Sequence, residues 1–193
     1  MRCSLLWLPC LGVALTLMTV ATAFAESPPT CAGKALPETP LAADTVCTTE
    51  AGVTLTVPTG WSVSARARAL LVEPPEGDSH LVLMSVDAAD AATAVAAAWR
   101  SFRPTESRPL RIVLPQEARN GWDERHVYEY ASAPNEKLTV YALAWRADSH
   151  WTVTIVEASR ATRERYAAGF TLLQESLQPA GFQRETFAGR PSA

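Results

Sequence analysis

The run Asp148-Ser-His-Trp-Thr-Val-Thr-Ile-Val-Glu-Ala158 and its continuation to Leu177 decide the fold. Between Trp151 and Val156 the residues Trp151, Val153 and Ile155 share one side, with Thr152 and Thr154 on the other. A period of two, rich in β-branched and aromatic residues, predicts a strand with one face on a core. After Ser159 the period changes. Tyr166, Phe170, Leu173 and Leu177 recur at spacings of four, three and four, which predicts one amphipathic helix, and Arg160, Arg163, Glu164, Arg165, Gln174 and Glu175 supply its wet side. Pro179 and Gly181 stop it.

An earlier stretch echoes this one. Asp78-Ser-His-Leu-Val-Leu-Met-Ser-Val-Asp-Ala precedes an alanine-rich helical pattern at a constant offset, Asp78 to Asp148 and Val86 to Val156. Two strand-then-helix units would place two helices against a shared sheet; chance identity in an alanine-rich chain is the other explanation.

The rest of the chain supplies more strands. Val53-Thr-Leu-Thr-Val57 alternates cleanly and ends in Pro58-Thr-Gly60, with Trp61 plugging one end of the core. Ser62–Val72 predicts one partly exposed, bent strand, and Pro74-Pro-Glu-Gly-Asp78 a turn. Leu81–Val86 is apolar at almost every position, as in a central strand covered on both faces. Asp87 or Asp90 can cap the helix that follows, whose stripe is Val95, Ala98, Trp99 and Phe102. Arg111–Leu114 is a short strand, and Asn120-Gly121 favours a tight hairpin turn. Glu124–Ala131, Lys137–Ala147 and His150–Ala158 then form an antiparallel meander. The expected architecture is α+β, a twisted antiparallel sheet of six or seven strands carrying two helices over residues 51–180. Residues 26–50 form an irregular, disulfide-tethered lead-in, and 181–193 a tail or linker.

With 193 residues, 48% of them hydrophobic, the chain can build one core but not two comfortable domains. A net charge of −3, with Arg66, Arg68, Arg100, Arg103, Arg108 and Arg111 scattered among acids, argues against an obligatory nucleic-acid partner. Residues 1–25 have the order of a secretory signal peptide: Arg2, an apolar run from Leu5 to Val20, and Ala23-Phe-Ala25 before Glu26. A retained membrane anchor is the rival reading. Cys10 lies inside the apolar run, which speaks against a lipoprotein. Export to a periplasm or the exterior would leave Cys31 and Cys47 as a disulfide pair; a redox or metal pair lacks the Cys-x-x-Cys spacing and a nearby His.

The search for chemistry finds no Gly-x-Ser-x-Gly and no Ser-x-x-Lys. His80 and His150 both follow Asp-Ser at a turn, and His126 stands apart. A triad needs partners from separate segments, so catalysis by these groups is the minor reading. A small hydrolase or metal-dependent enzyme using strand-end histidines remains the alternative, because His80 and His150 could meet if their strands are neighbours, near Asp78 and Asp148. No cofactor is implied. Glu73, Glu76, Asp78, Asp123 and Glu124 lie beside turns, where solvated charge is the default. Trp61, Trp99, Trp145 and Trp151 fall on buried phases, whereas Trp122, after Asn120-Gly121, is expected to be exposed and to mark a contact surface with His80 and His150. A ligand-binding module would need a concave pocket between sheet and helix.

Gly52-Val-Thr-Leu-Thr-Val-Pro-Thr-Gly-Trp61, a strand ending in Pro-x-Gly-Trp, together with the strand–helix unit after Pro74, the meander through Trp145 and the helix ending at Leu177, resembles the PsbP-like group of α+β domains. That resemblance implies a non-enzymatic binding or assembly module. Leu177-Gln-Pro-Ala-Gly-Phe-Gln-Arg-Glu-Thr-Phe-Ala-Gly-Arg190 is similar to the junction after such a domain in some secreted bacterial serine hydrolases of the β-lactamase-like family. The active-site Ser and Lys of that family have no counterpart here, so the likeness implies an accessory half whose partner is a serine hydrolase or an envelope component.

Overall fold

A computed structural model describes residues 29–183 apart from 32, 38, 106 and 134, with the backbone of 186–187 and 190–191. Residues 1–25, expected to be a signal peptide, lie outside the described residues. In chain order the elements are β1 (Thr30–Cys31), β2 (Lys34–Ala35), β3 (Thr45–Thr48), β4 (Thr54–Val57), β5 (Ser62–Arg66), β6 (Ala69–Glu73), β7 (His80–Val86), α1 (Ala91–Phe102), β8 (Leu110–Gln116), β9 (Glu124–Tyr130), β10 (Leu138–Ala147), β11 (His150–Ser159), α2 (Arg160–Arg165), α3 (Ala167–Glu175), β12 (Thr186–Phe187) and β13 (Arg190–Pro191).

The main sheet is antiparallel, with seven strands in the order β5-β6-β7-β11-β10-β9-β8. The Trp151–Val156 strand is its middle member. Trp151, Val153 and Ile155 pack with Val82 and Met84 under Ala91, Ala94, Val95 and Ala98 of α1. Alanines on that stripe let the helix lie close to the sheet. On the opposite face Leu81, Leu83, Val156 and Ala158 pack with Phe170, Leu173 and Leu177. Thr152 and Thr154 are buried as well, so β11 has two covered faces, not the one its alternation predicts. Asp90 is the residue that caps α1, its Oδ1 accepting from the Thr93 amide at 2.8 Å.

The α+β expectation of six or seven strands holds, but the membership differs in three places. The bent strand expected over Ser62–Val72 is a hairpin, with Ala67 at φ 50° in its two-residue turn. A positive φ at Ala is not legible in the sequence, since Gly or Asn is the usual signal. The 53–57 strand joins not the main sheet but a four-stranded one, β2-β1-β3-β4. Residues 26–50, expected to be irregular, supply three of its strands, and Cys31, Leu41 and Cys47 enter the core. Cys31 and Cys47 are direct cross-strand partners and are disulfide-bonded. The helix expected from 160 to 177 breaks at Tyr166 into α2 and α3, while its stripe of Phe170, Leu173 and Leu177 stays on the core. Gly169 lets α3 sit against Trp61: a Cβ there would meet the indole at 3.0 Å. Trp61 is 1% exposed and stands edge-on to Phe170 at 5.1 Å, the plug its position predicts.

The two strand–helix units do meet on one sheet. Their helices cover opposite faces, and residues at equivalent offset point opposite ways: Leu81 packs with Phe170, Trp151 under α1. The tail contains the β12–β13 ladder.

Candidate functional site

β7 and β11 are neighbours, but antiparallel, with His80 registered on Glu157 and Val86 on Trp151. His80 and His150 therefore lie at opposite ends, separated by about seven residues of strand, roughly 23 Å. The expectation that they could meet fails on strand direction.

Each histidine has its own acid. His80 Nε2 is 3.2 Å from Glu157 Oε2, and the Arg103 guanidinium reaches the same carboxylate at 2.7 Å. Glu157 is 4% exposed; burial opposes its charge, but the His80 contact and Arg103 outweigh that and hold the carboxyl below its usual range. His126 contacts Glu124 at 2.8 Å, and Arg146 reaches the other Glu124 oxygen. His150 contacts Asp87 at 2.8 Å in the open and borders a cavity of about 300 Å³ with Asp87, Asp148, Arg68 and Trp122. Among the described residues no group of three or more His, Cys, Asp or Glu is placed to hold a metal ion.

Trp122 corrects its reading. It is 2% exposed, packs on Trp145 at 5.6 Å, and donates from Nε1 to the Leu177 carbonyl at 3.1 Å. Asn120 and Gly121, at φ 53° and 82°, form the expected tight turn and bridge Arg119 to Trp122. That turn folds the indole inward beneath Leu177. The Asn-Gly signal located the turn but could not say which side of it faced the core.

The exposed apolar surface lies one strand earlier. β8 is an edge strand exposed at all seven residues. Leu110, Ile112, Val113 and Leu114 are 37–51% exposed. By register Ile112 and Leu114 stand over Glu129 and Val127, while Leu110 and Val113 stand over Tyr130 and Tyr128, so β8 offers apolar side chains on both faces and a free backbone edge. Pro115 removes one donor near its end.

Behind β8, between the sheet and α3, opens a cavity of about 290 Å³ lined by Arg119, Arg125, Tyr141, Trp145, Arg163 and Gln174, among others. Arg125 occupies an inward position of β9 beside Trp145, is 4% exposed, and stacks 4.2 Å from the Trp145 ring centre. One NH group donates to the Glu117 carbonyl at 3.0 Å; among the described residues Nε has no partner. Burial, with Arg119 nearby, pulls the Arg125 guanidinium below its usual value. At the rim Arg119 pairs with Glu175 at 2.6 Å, Arg163 lies 4.9 Å over the Phe170 ring, and Gln174 donates to the Tyr141 hydroxyl at 2.5 Å. Burial raises the Tyr141 phenol, partly offset by Arg163 and Gln174. Arg119 and Arg125 were not singled out in the sequence, and Arg163 was read only as part of a wet helix face. The available signal was Arg125 itself, a charge on the same phase of its strand as Val127.

Among the described residues no helix is long and apolar enough to cross a membrane; the apolar run of residues 5–20 lies outside them. No family model matches the chain, and no curated protein matches it. Among solved structures it is similar to cyanobacterial PsbP (CyanoP) from Synechocystis, with a TM-score of 0.54, 11% identity, and coverage of 74% of this chain and 96% of that one. At that identity the likeness speaks to architecture, and the architecture expected from Gly52–Trp61 and the following elements is the one found: this chain has a PsbP-like α+β fold.

Proposed function

We propose that this protein is an exported, non-catalytic accessory domain that binds an extended segment of a protein partner along β8. The edge carries the reading: seven consecutive exposed residues, four of them large and apolar, on the rim of an otherwise well-covered sheet. Such rims are usually blunted by charge or covered, and an uncovered one pairs readily with an incoming strand. The segment expected is apolar on both faces, to match Leu110 and Val113 on one side of β8 and Ile112 and Leu114 on the other.

The PsbP-like fold is consistent with an accessory role. The order of residues 1–25 and the Cys31–Cys47 bond support export. The likeness of residues 177–190 to a hydrolase junction makes a secreted serine hydrolase the first partner to test, ahead of other envelope proteins.

A photo-crosslinker at Val113, used in the exporting cell, identifies the segment that meets β8. That segment, made as a peptide, is expected to protect the β8 amides from hydrogen exchange, and Leu114→Lys is expected to abolish the protection. Crosslinks only to lipid, only between two copies at Val113, or to a peptide that leaves those amides unprotected would overturn the proposal.

A further inference from the structure

The cavity behind β8 raises a separate question, independent of whether a strand adds to that edge. A guanidinium buried to 4% exposure is normally matched by a carboxylate. Among the described residues Arg125 has none: its polar contact is the Glu117 carbonyl, its π-contact is Trp145, and Nε is left without an acceptor. Glu175, whose charge acts on it, is held by Arg119. Native proteins rarely leave a charged donor group in this condition.

We infer that the cavity lined by Arg119, Arg125 and Arg163 is a binding site for a monoanionic carboxylate, which completes the hydrogen bonding of Arg125. The planar guanidinium fork suits two carboxylate oxygens. Gln174 and Tyr141 supply further polar groups, and Trp145 an aromatic wall. Glu129 and Glu175 also line the cavity but are paired with Arg111 and Arg119; of the three lining arginines only Arg125 is buried, and one unanswered buried charge favours a carboxylate over a dianion such as sulfate. The volume, about 290 Å³, is at the small end of ligand pockets. The carboxylate comes either from a free small organic acid or from the end of a polypeptide, and the chemistry of recognition is the same.

Nitrogen-15 spectra of the arginine Nε–Hε groups in the disulfide-bonded protein test this directly. The probes are benzoate, sulfate, and one short peptide made with a free and with an amidated C-terminus. A saturable shift of the Arg125 signal with benzoate, or with the free-acid peptide but not its amide, is expected. Saturation by benzoate assigns a free acid; a response to the peptide acid alone assigns a chain end. Arg125→Gln is expected to weaken binding at least about tenfold. Since that buried substitution can compromise folding, Arg163→Gln at the rim is a second variant, expected to weaken binding several-fold with the fold intact. No saturable shift with any carboxylate up to about 100 mM, a response to sulfate equal to or stronger than that to benzoate, or unchanged affinity in Arg163→Gln would each overturn the inference.

Discussion

Gly121→Ala tests the turn that buries Trp122, and its cost has two separable parts. Gly121 has φ 82°, a left-handed conformation that costs an L-residue about 1–2 kcal/mol. A Cβ at this position would run into Phe182 Cδ2 and lie 3.0 Å from Pro179 Cγ, so the Phe182 ring must move. Overpacking of that kind costs about 1–3 kcal/mol. Together they come to about 3 kcal/mol, a fall in Tm of about 6–12 °C for a chain of this size. Gly77 is the control. Its φ is 68°, and an added Cβ meets nothing within 4 Å, so Gly77→Ala carries the backbone part alone, about 2–8 °C. Differential scanning calorimetry on both variants, with Phe182→Ala and the Gly121→Ala/Phe182→Ala double variant, isolates the clash as a coupling energy. The reasoning is refuted if Gly121→Ala melts no lower than Gly77→Ala, or if removing the Phe182 ring relieves nothing.

Three further outcomes are expected. Reducing Cys31–Cys47, or Cys47→Ser, lowers stability by about 3 kcal/mol through the freed loop; an unchanged urea midpoint with reductant present would contradict the tether's role. Phe170→Ala removes the ring facing Trp61 and costs about 3–5 kcal/mol by chemical denaturation; a loss under 1 kcal/mol would mean that α3 is not seated as described. Glu157 and Asp78 both have depressed carboxyl values in the folded state, so the stability they contribute is present above their ordinary values of 4.5 and 3.8 and is lost as pH falls through the folded ones. Urea midpoints should therefore hold from neutral pH down to about pH 5 and decline below it, with a shallower decline in Glu157→Gln; an equally steep decline in that variant would remove Glu157 from the account.

Periodicity made most of this fold legible because five strands of the main sheet run seven residues or more and the helices are one-sided. β7, β9, β10 and β11 fell close to their expected bounds, and of the two caps offered for α1, Asp87 and Asp90, the second is used. What escaped depended on information that is not local. The four residues Thr45–Thr48 become a strand because the disulfide and β4 hold them, and Ala67 makes a turn without a turn residue. Thr152 and Thr154 look like a wet face, yet the small sheet and α3 cover the side they point to. The candidate site was harder still. Histidines draw attention by type, but strand direction puts His80 and His150 at opposite ends, whereas Arg125 matters for what it lacks, which only coordinates reveal.

Among the described residues β8 is held by a single neighbouring strand and is exposed along its whole length. Of the seven strands it is therefore among the least costly to peel away, since detaching it leaves both covered faces of the sheet intact. Amide exchange should report it as the first segment to open, well before the block formed by β7, β11 and β10. Anything that docks there stabilises the portion with the most to gain, so the exchange rate of one strand is a built-in gauge of occupancy, readable without labelling the visitor.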